Sequence, residues 1–107
     1  MTTGFIEVRT TTETKADAEK IARLAVESRL AACAQIVGPI DSTYWWQGAL
    51  ENAAEYLLLL KTRETLFDTL RDAILSVHPY ETPEIVALPI TNASPSYLAW
   101  LENEIPS

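Results

Sequence analysis

From Phe5 to Thr12 the chain alternates, with Phe5, Glu7 and Arg9 on one side and Ile6, Val8 and Thr10 on the other, in a stretch rich in β-branched residues. That pattern predicts a strand. Lys15 to Leu30 is rich in Ala, Glu, Lys and Arg and repeats Ala18, Ile21, Ala22, Ala25 and Ser28 at helical spacing, which predicts a helix. Thr14 is placed to cap it, with Asp17 and Glu19 near the positive end of its dipole. From Ala31 to Thr62 the character changes to β-branched and aromatic residues, interrupted at Gly38-Pro39, passing through Trp45-Trp46-Gln47-Gly48-Ala49 and ending in the run Leu57 to Leu60. A hairpin closing near Gln47 and Gly48 follows, because Gly supplies the positive φ of a tight turn. Each arm has about a dozen residues or more against roughly 5 or 6 in a typical strand, so the tip should project beyond the rest of the domain. Gly38-Pro39 predicts a bend or bulge in the first arm.

Thr62 is then expected to cap a second helix, Arg63 to Val77, with Leu66, Phe67, Leu70, Ile74 and Val77 as its apolar stripe and Pro79 as its stop. Glu84 to Ile90 reads as a strand, and Pro89 assigns it to an edge or a bulge. A last short helix begins at Ser94 and Pro95, with Tyr97, Leu98 and Leu101 expected to face inward.

The order is strand, helix, strand, strand, helix, strand, with one helix appended. This is the α+β, ferredoxin-like βαββαβ arrangement with an additional C-terminal helix, in which both crossover helices cover one face of an antiparallel sheet. The other face is left bare, yet Tyr56 to Leu60 is apolar on both phases of the strand period, and adjacent Trp45 and Trp46 must point to opposite faces. Burying one Trp removes about 150–250 Å² from water, worth roughly 4–6 kcal/mol as an upper bound. A domain of this size has only about 5–15 kcal/mol of stability. Several such groups left in water are therefore costly, and a homo-oligomer joined through the hairpin is expected.

Composition narrows the classes of partner. The chain has 107 residues, 48% hydrophobic and 21% charged, which suits one compact domain over residues 1–107. Eight Lys plus Arg against fifteen Asp plus Glu give a net charge of -7, which repels nucleic acid and anionic membrane surfaces. No apolar run approaches the roughly 20 residues of a membrane-spanning helix. A single cysteine excludes an internal disulfide, and Met1 to Phe5 lacks the basic and apolar stretches of a signal peptide. A cytoplasmic location is the expectation.

Several segments together carry a family resemblance: Arg29-Leu30-Ala31-Ala32-Cys33, Pro39 to Gly48, Glu55 leading to Lys61-Thr62, His78-Pro79-Tyr80-Glu81-Thr82-Pro83-Glu84, and Tyr97-Leu98-Ala99-Trp100-Leu101. In this order they resemble the CutA divalent-cation-tolerance family over nearly the whole chain. The resemblance implies a PII-like homotrimer of ferredoxin-like subunits joined edge to edge through the long hairpin strands. It also implies a cytosolic, non-enzymatic protein of divalent metal ion tolerance, linked to copper and other divalent cations.

Candidate metal chemistry begins with Cys33 and His78, the only soft or borderline donors apart from Met1. Neither stands in a local ligand spacing, and Cys33 reads more simply as a small buried hydrophobe at a strand start than as a ligand. His78-Pro79-Tyr80-Glu81 is the most site-like stretch, placing an imidazole, a phenol and a carboxylate in a stiff loop beyond a helix end. In the plainer reading the prolines steer the chain and His78 meets the helix C-terminus. The candidate metal ligands are Cys33, His78 and Glu81, with Glu84 as a further oxygen donor, and copper or another divalent cation as the ion. Oligomer symmetry would multiply this sparse set.

Tyr44, Trp45, Trp46, Tyr80 and Trp100 are the candidate pocket or interface residues, joined by Tyr97 in the aromatic group. They serve either packing between subunits or a cleft in which a small molecule meets rings, with His78 and Glu81 at the rim. The alternative function is accordingly a PII-like small-molecule signalling module. The sequence has no Ser-His-Asp set and no fingerprint of an organic cofactor.

Overall fold

The computed structural model describes residues 2–106; Met1, which enters the reading of the N-terminus and of the soft donors, lies outside the described residues. Strand β1, Phe5–Thr12, is followed by helix α1, Lys15–Glu27, and by two long strands, β2, Cys33–Trp46, and β3, Ala49–Arg63. A 3-10 turn, Glu64–Leu66, leads into helix α2, Phe67–Val77, then strand β4, Val86–Pro89, and helix α3, Pro95–Glu104. The four strands form one antiparallel sheet in the order β2-β3-β1-β4, the ferredoxin-like order expected from the sequence.

Period-two alternation decides which side chains meet. Ile6 and Val8 from β1 and Leu58 and Leu60 from β3 point into one core with Ile21 and Ala25 of α1 and Leu70 and Ile74 of α2. Both crossover helices therefore lie on the same face of the sheet. Buried Thr10 and Thr62 carry hydroxyls without a hydrogen-bond partner among the described residues.

Several boundaries differ from the sequence expectation. Helix α1 stops at Glu27, short of Leu30, because Arg29 takes a left-handed φ of 61° and Leu30 N–H turns back to the Ala25 carbonyl. Thr62 does not cap the second helix. Instead β3 continues through Arg63, paired with Phe5, and the chain makes one 3-10 turn before α2 begins without a side-chain cap. Strand β4 is shorter than Glu84 to Ile90, although it does sit at the sheet edge. Tyr97 is exposed, against the expectation that it faces inward, whereas Leu101 is fully buried.

The face away from α1 and α2 is only partly bare. Helix α3 crosses one end of it, where the Arg63 guanidinium donates to the Ile105 carbonyl at 2.7 Å and stacks over Phe5. Farther along, Glu7 holds Arg9 at 2.8 Å and Lys61 at 3.4 Å, and Lys61 also donates to Gln35. Burial alone would raise the Glu7 carboxyl, but hydrogen bonds and charge from Arg9 and Lys61 outweigh it and hold the group below its ordinary value. Leucines at 57 and 59 flank this network, half-buried. The uncovered surface is thus part apolar and part charged.

The hairpin behaves as its length predicts. Strand β1 pairs β3 only up to Tyr56, whereas β2 and β3 continue to pair each other from Ile40 with Glu55 to Trp46 with Ala49. A register shift between Val37 and Ile40 marks the bulge at Gly38-Pro39. The turn places Gln47 at φ 49° and Gly48 at φ 80°, the pair of positive angles that matches strand twist in a two-residue turn. The molecule measures 44 × 27 × 22 Å.

Candidate functional site

The polar chemistry gathers where the hairpin leaves the sheet. Glu55 occupies the first pairing position beyond β1, on a strand whose neighbours Tyr56 to Leu60 are apolar, and it is only 7% exposed. Buried carboxylates need partners. The Tyr80 hydroxyl supplies one, donating to Glu55 Oε2 at 2.7 Å. Burial, together with this bond and the Glu55 charge, pushes the Tyr80 phenol well above its ordinary value, so Tyr80 stays a donor through the physiological range.

His78 holds the loop that delivers Tyr80. Its Nε2 lies 2.9 Å from the Thr11 carbonyl oxygen, which can only accept, so Nε2 carries the proton. The Tyr80 backbone N–H donates to Nδ1 at 3.1 Å, so Nδ1 is the acceptor. The two rings pack at 4.9 Å between centroids, tilted by 53°. Both ring nitrogens are thereby engaged in clamping the loop after α2 onto β1. His78 is a positioning residue in this arrangement, and its ring bonds β1 instead of the C-terminus of its own helix.

A cleft of about 660 Å³ opens between this loop and the hairpin base. Its walls are Thr11, the β2 segment from Ser42 to Trp46, Glu55, and Tyr80, Glu81, Thr82 and Glu84 of the loop. Of the residues singled out from the sequence, Tyr44, Trp45, Trp46, Tyr80, Glu81 and Glu84 meet here. His78 stands behind Tyr80 and does not line the space.

Cys33 and Trp100 belong elsewhere. Cys33 pairs with Lys61, six residues along β3 from Glu55, which at about 3.3 Å per residue separates it from the cleft by roughly 20 Å. Its thiol lies 3.7 Å from the Tyr97 hydroxyl, and Tyr97 packs on Trp100 with centroids 5.6 Å apart. Burial and the contact with Cys33 push the Tyr97 phenol up to about 12. Cys33 is half-exposed here, not sealed in the core. Among the described residues of one chain, no three His, Cys, Asp or Glu side chains gather as a metal would require. The expected grouping of Cys33 with His78 and Glu81 is therefore not formed within a single chain.

Sequence reasoning gave Glu55 and Thr11 no role. A signal for Glu55 was present: it abuts a strand run apolar on both phases, where a charge is costly unless something binds it. Thr11 acts through its backbone carbonyl, which no side-chain pattern reveals.

Comparison with known proteins agrees with this architecture. The family model described as CutA1 divalent ion tolerance protein matches residues 6–104. The chain is 41% identical over 102 residues to the chloroplastic protein CutA 1 of Oryza sativa subsp. japonica, covering 95% of this chain and 58% of that protein. It thus spans little more than half the length of that relative. Among solved structures, CutA1 from Oryza sativa superposes with a TM-score of 0.93 at 40% identity, over 99% of this chain and 97% of the other. The periplasmic divalent cation tolerance protein CutA from Archaeoglobus fulgidus gives 0.91 at 36% identity, over 94% and 98%. The names chloroplastic and periplasmic overturn the expectation of a cytoplasmic location, because membership is compatible with more than one compartment. Among the described residues no helix is long and apolar enough to cross a membrane. With the fold, the linked sequence motifs and the family model in agreement over almost its full length, the chain belongs to the CutA1 divalent ion tolerance protein family.

Proposed function

We propose that this protein serves divalent-cation tolerance as a homotrimer with no reaction of its own, and that the long hairpin is the joint between subunits. One observation carries the reading. Seven residue pairs of β2 and β3 extend past the rest of the sheet, leaving Tyr44, Trp45, Trp46 and Leu50 in water, with Trp45 72% exposed. Exposed aromatic groups of this size favour a protein partner. The sheet ends in two unlike edges, long β2 and four-residue β4. Joining unlike edges is a head-to-tail contact, and such contacts form a ring where the rotation between subunits closes. Family resemblance supplies three as the number.

Copper or another divalent cation is the proposed ion. A net charge of -7 per chain concentrates cations at the surface. Cys33, His78 and Glu81 remain the proposed contacts on two conditions. Different chains must combine them, and His78 must release one of its two ring hydrogen bonds to coordinate. Copper favours the thiol and imidazole, whereas a harder ion favours the carboxylates Glu81 and Glu84.

Light scattering should give three times the protomer mass at micromolar concentration, and calorimetric titration with Cu(II) and Zn(II) should saturate. Cys33→Ala or His78→Ala should weaken that binding. A monomer that binds neither ion removes this function. A trimer whose ion binding survives both substitutions keeps the assembly and removes the ligands.

The second reading, a PII-like small-molecule module, is favoured by a separate observation, the cleft around Glu55 and Tyr80.

A further inference from the structure

The cleft at the hairpin base has a chemistry of its own. Three of its wall residues, Glu55, Glu81 and Glu84, are carboxylates, and no Lys, Arg or His lines it. Anions are repelled from such a space. Ring-bearing walls come from Tyr44, Trp46 and Tyr80 on opposite sides, two on the hairpin and one on the loop. Glu55 sharpens the picture because it is more than nine-tenths buried, Tyr80 occupies its Oε2, and Oε1 has no partner among the described residues. A carboxylate on the cleft wall whose Oε1 takes no protein donor is free to accept a hydrogen bond from a group in the cleft.

A small inorganic cation is poorly served, since no three donors converge. An organic ammonium fits better. Its N–H groups satisfy the open oxygen of Glu55, its charge is balanced by Glu81 and Glu84, and its carbon chain rests against rings whose negative faces attract cations. The volume, about 660 Å³, falls within the range of small-molecule sites.

The geometry points to a binding site for a protonated alkylamine in the cleft between the hairpin base and the loop after α2, with Glu55 as its central hydrogen-bond acceptor. Every named group comes from one chain, so the site is complete without a second subunit, although it shares Glu81 and Glu84 with the proposed metal contacts and Tyr44 and Trp46 with the proposed joint. His78 contributes by holding Tyr80, and through it Glu55, in place.

The test uses the full chain freed of metal by a chelator, with 1,4-diaminobutane and butylammonium as probes and 1-butanol as the uncharged control. Tryptophan emission and calorimetry should show saturable binding of both amines, weakened by added salt, and none of the alcohol. Glu55→Gln preserves shape and an acceptor for Tyr80 while removing charge, and should weaken amine binding about tenfold or more. Because Glu55 is buried, the exposed pair Glu81→Gln and Glu84→Gln gives a second variant that leaves the core untouched, with a loss of about threefold or more expected from reduced attraction. Absence of saturable amine binding, equal binding of the alcohol, or unchanged affinity in both variants overturns the assignment. Mass from light scattering on the same samples reads the assembly separately, and ion titration reads the metal contacts separately.

Discussion

The bond between Tyr80 and Glu55 is where one side chain has the greatest leverage. Tyr80→Phe removes the one hydroxyl among the described residues that reaches Glu55 Oε2 and leaves that carboxylate oxygen without its donor. We expect a loss of about 1–3 kcal/mol in urea unfolding, with strands and helices retained by circular dichroism. Tyr97 makes a second prediction, on pH. Its phenol ionises at about 12 in the fold against an ordinary 10.0, so the fold favours the neutral form. That contribution is complete below pH 10 and is lost as pH rises from about 10 toward about 12. Absorbance titration near 295 nm should show two late-ionising tyrosines, Tyr80 and Tyr97, and in Cys33→Ala Tyr97 alone should move partway back, because its burial remains. His78 shows why residue roles were only half legible. A histidine before a proline at a helix end stood out in the sequence, but its two hydrogen-bond partners, the Thr11 carbonyl and the Tyr80 N–H, are backbone groups that composition does not display.

Elements were more legible than roles, because they follow from periodicity. Strand β1, the hairpin turn at Gln47 and Gly48, and the bulge after Val37 all fall where alternation, glycine and proline predict them. The misreadings have different causes. Thr62 resembles a helix cap, but pairing of Arg63 with Phe5 extends β3, so tertiary pairing overrode local preference there. Helix α1 ends before Leu30 for a local reason, the left-handed φ of Arg29 and the return of Leu30 N–H to Ala25. The bulge offers a test at this scale. A Cβ on Gly38 would sit 2.5 Å from the Tyr56 ring, so the ring packs on bare backbone there. Gly38→Ala should force the ring aside and cost about 1–3 kcal/mol in thermal or urea unfolding. Combining it with Tyr56→Leu should recover part of that loss, because the smaller, flexible side chain makes room.

For the whole molecule, the sequence argued a need for cover without saying where. Helix α3 supplies some of it over Phe5, while the hairpin end remains in water. Trp46→Ala should therefore weaken association more than secondary structure, seen as a shift to lower mass on dilution in sedimentation with an unchanged far-ultraviolet spectrum. An unaltered mass and melting temperature would contradict a joint at this residue. Trp45→Ala, on the opposite face of the same strand, tells which side of the ribbon the neighbour holds.

In the proposed trimer the unlike edges also make association directional, each protomer offering a hairpin to one neighbour and receiving another's against a different border of its sheet. A version lacking residues 42–53 but retaining β4, with Asp41 and Ala54 left as a two-residue turn, could still receive and no longer offer. Mixed with intact copies, it should act as a chain terminator, stalling rings as open fragments in proportion to its share, so that one defective gene copy would poison the product of a healthy one.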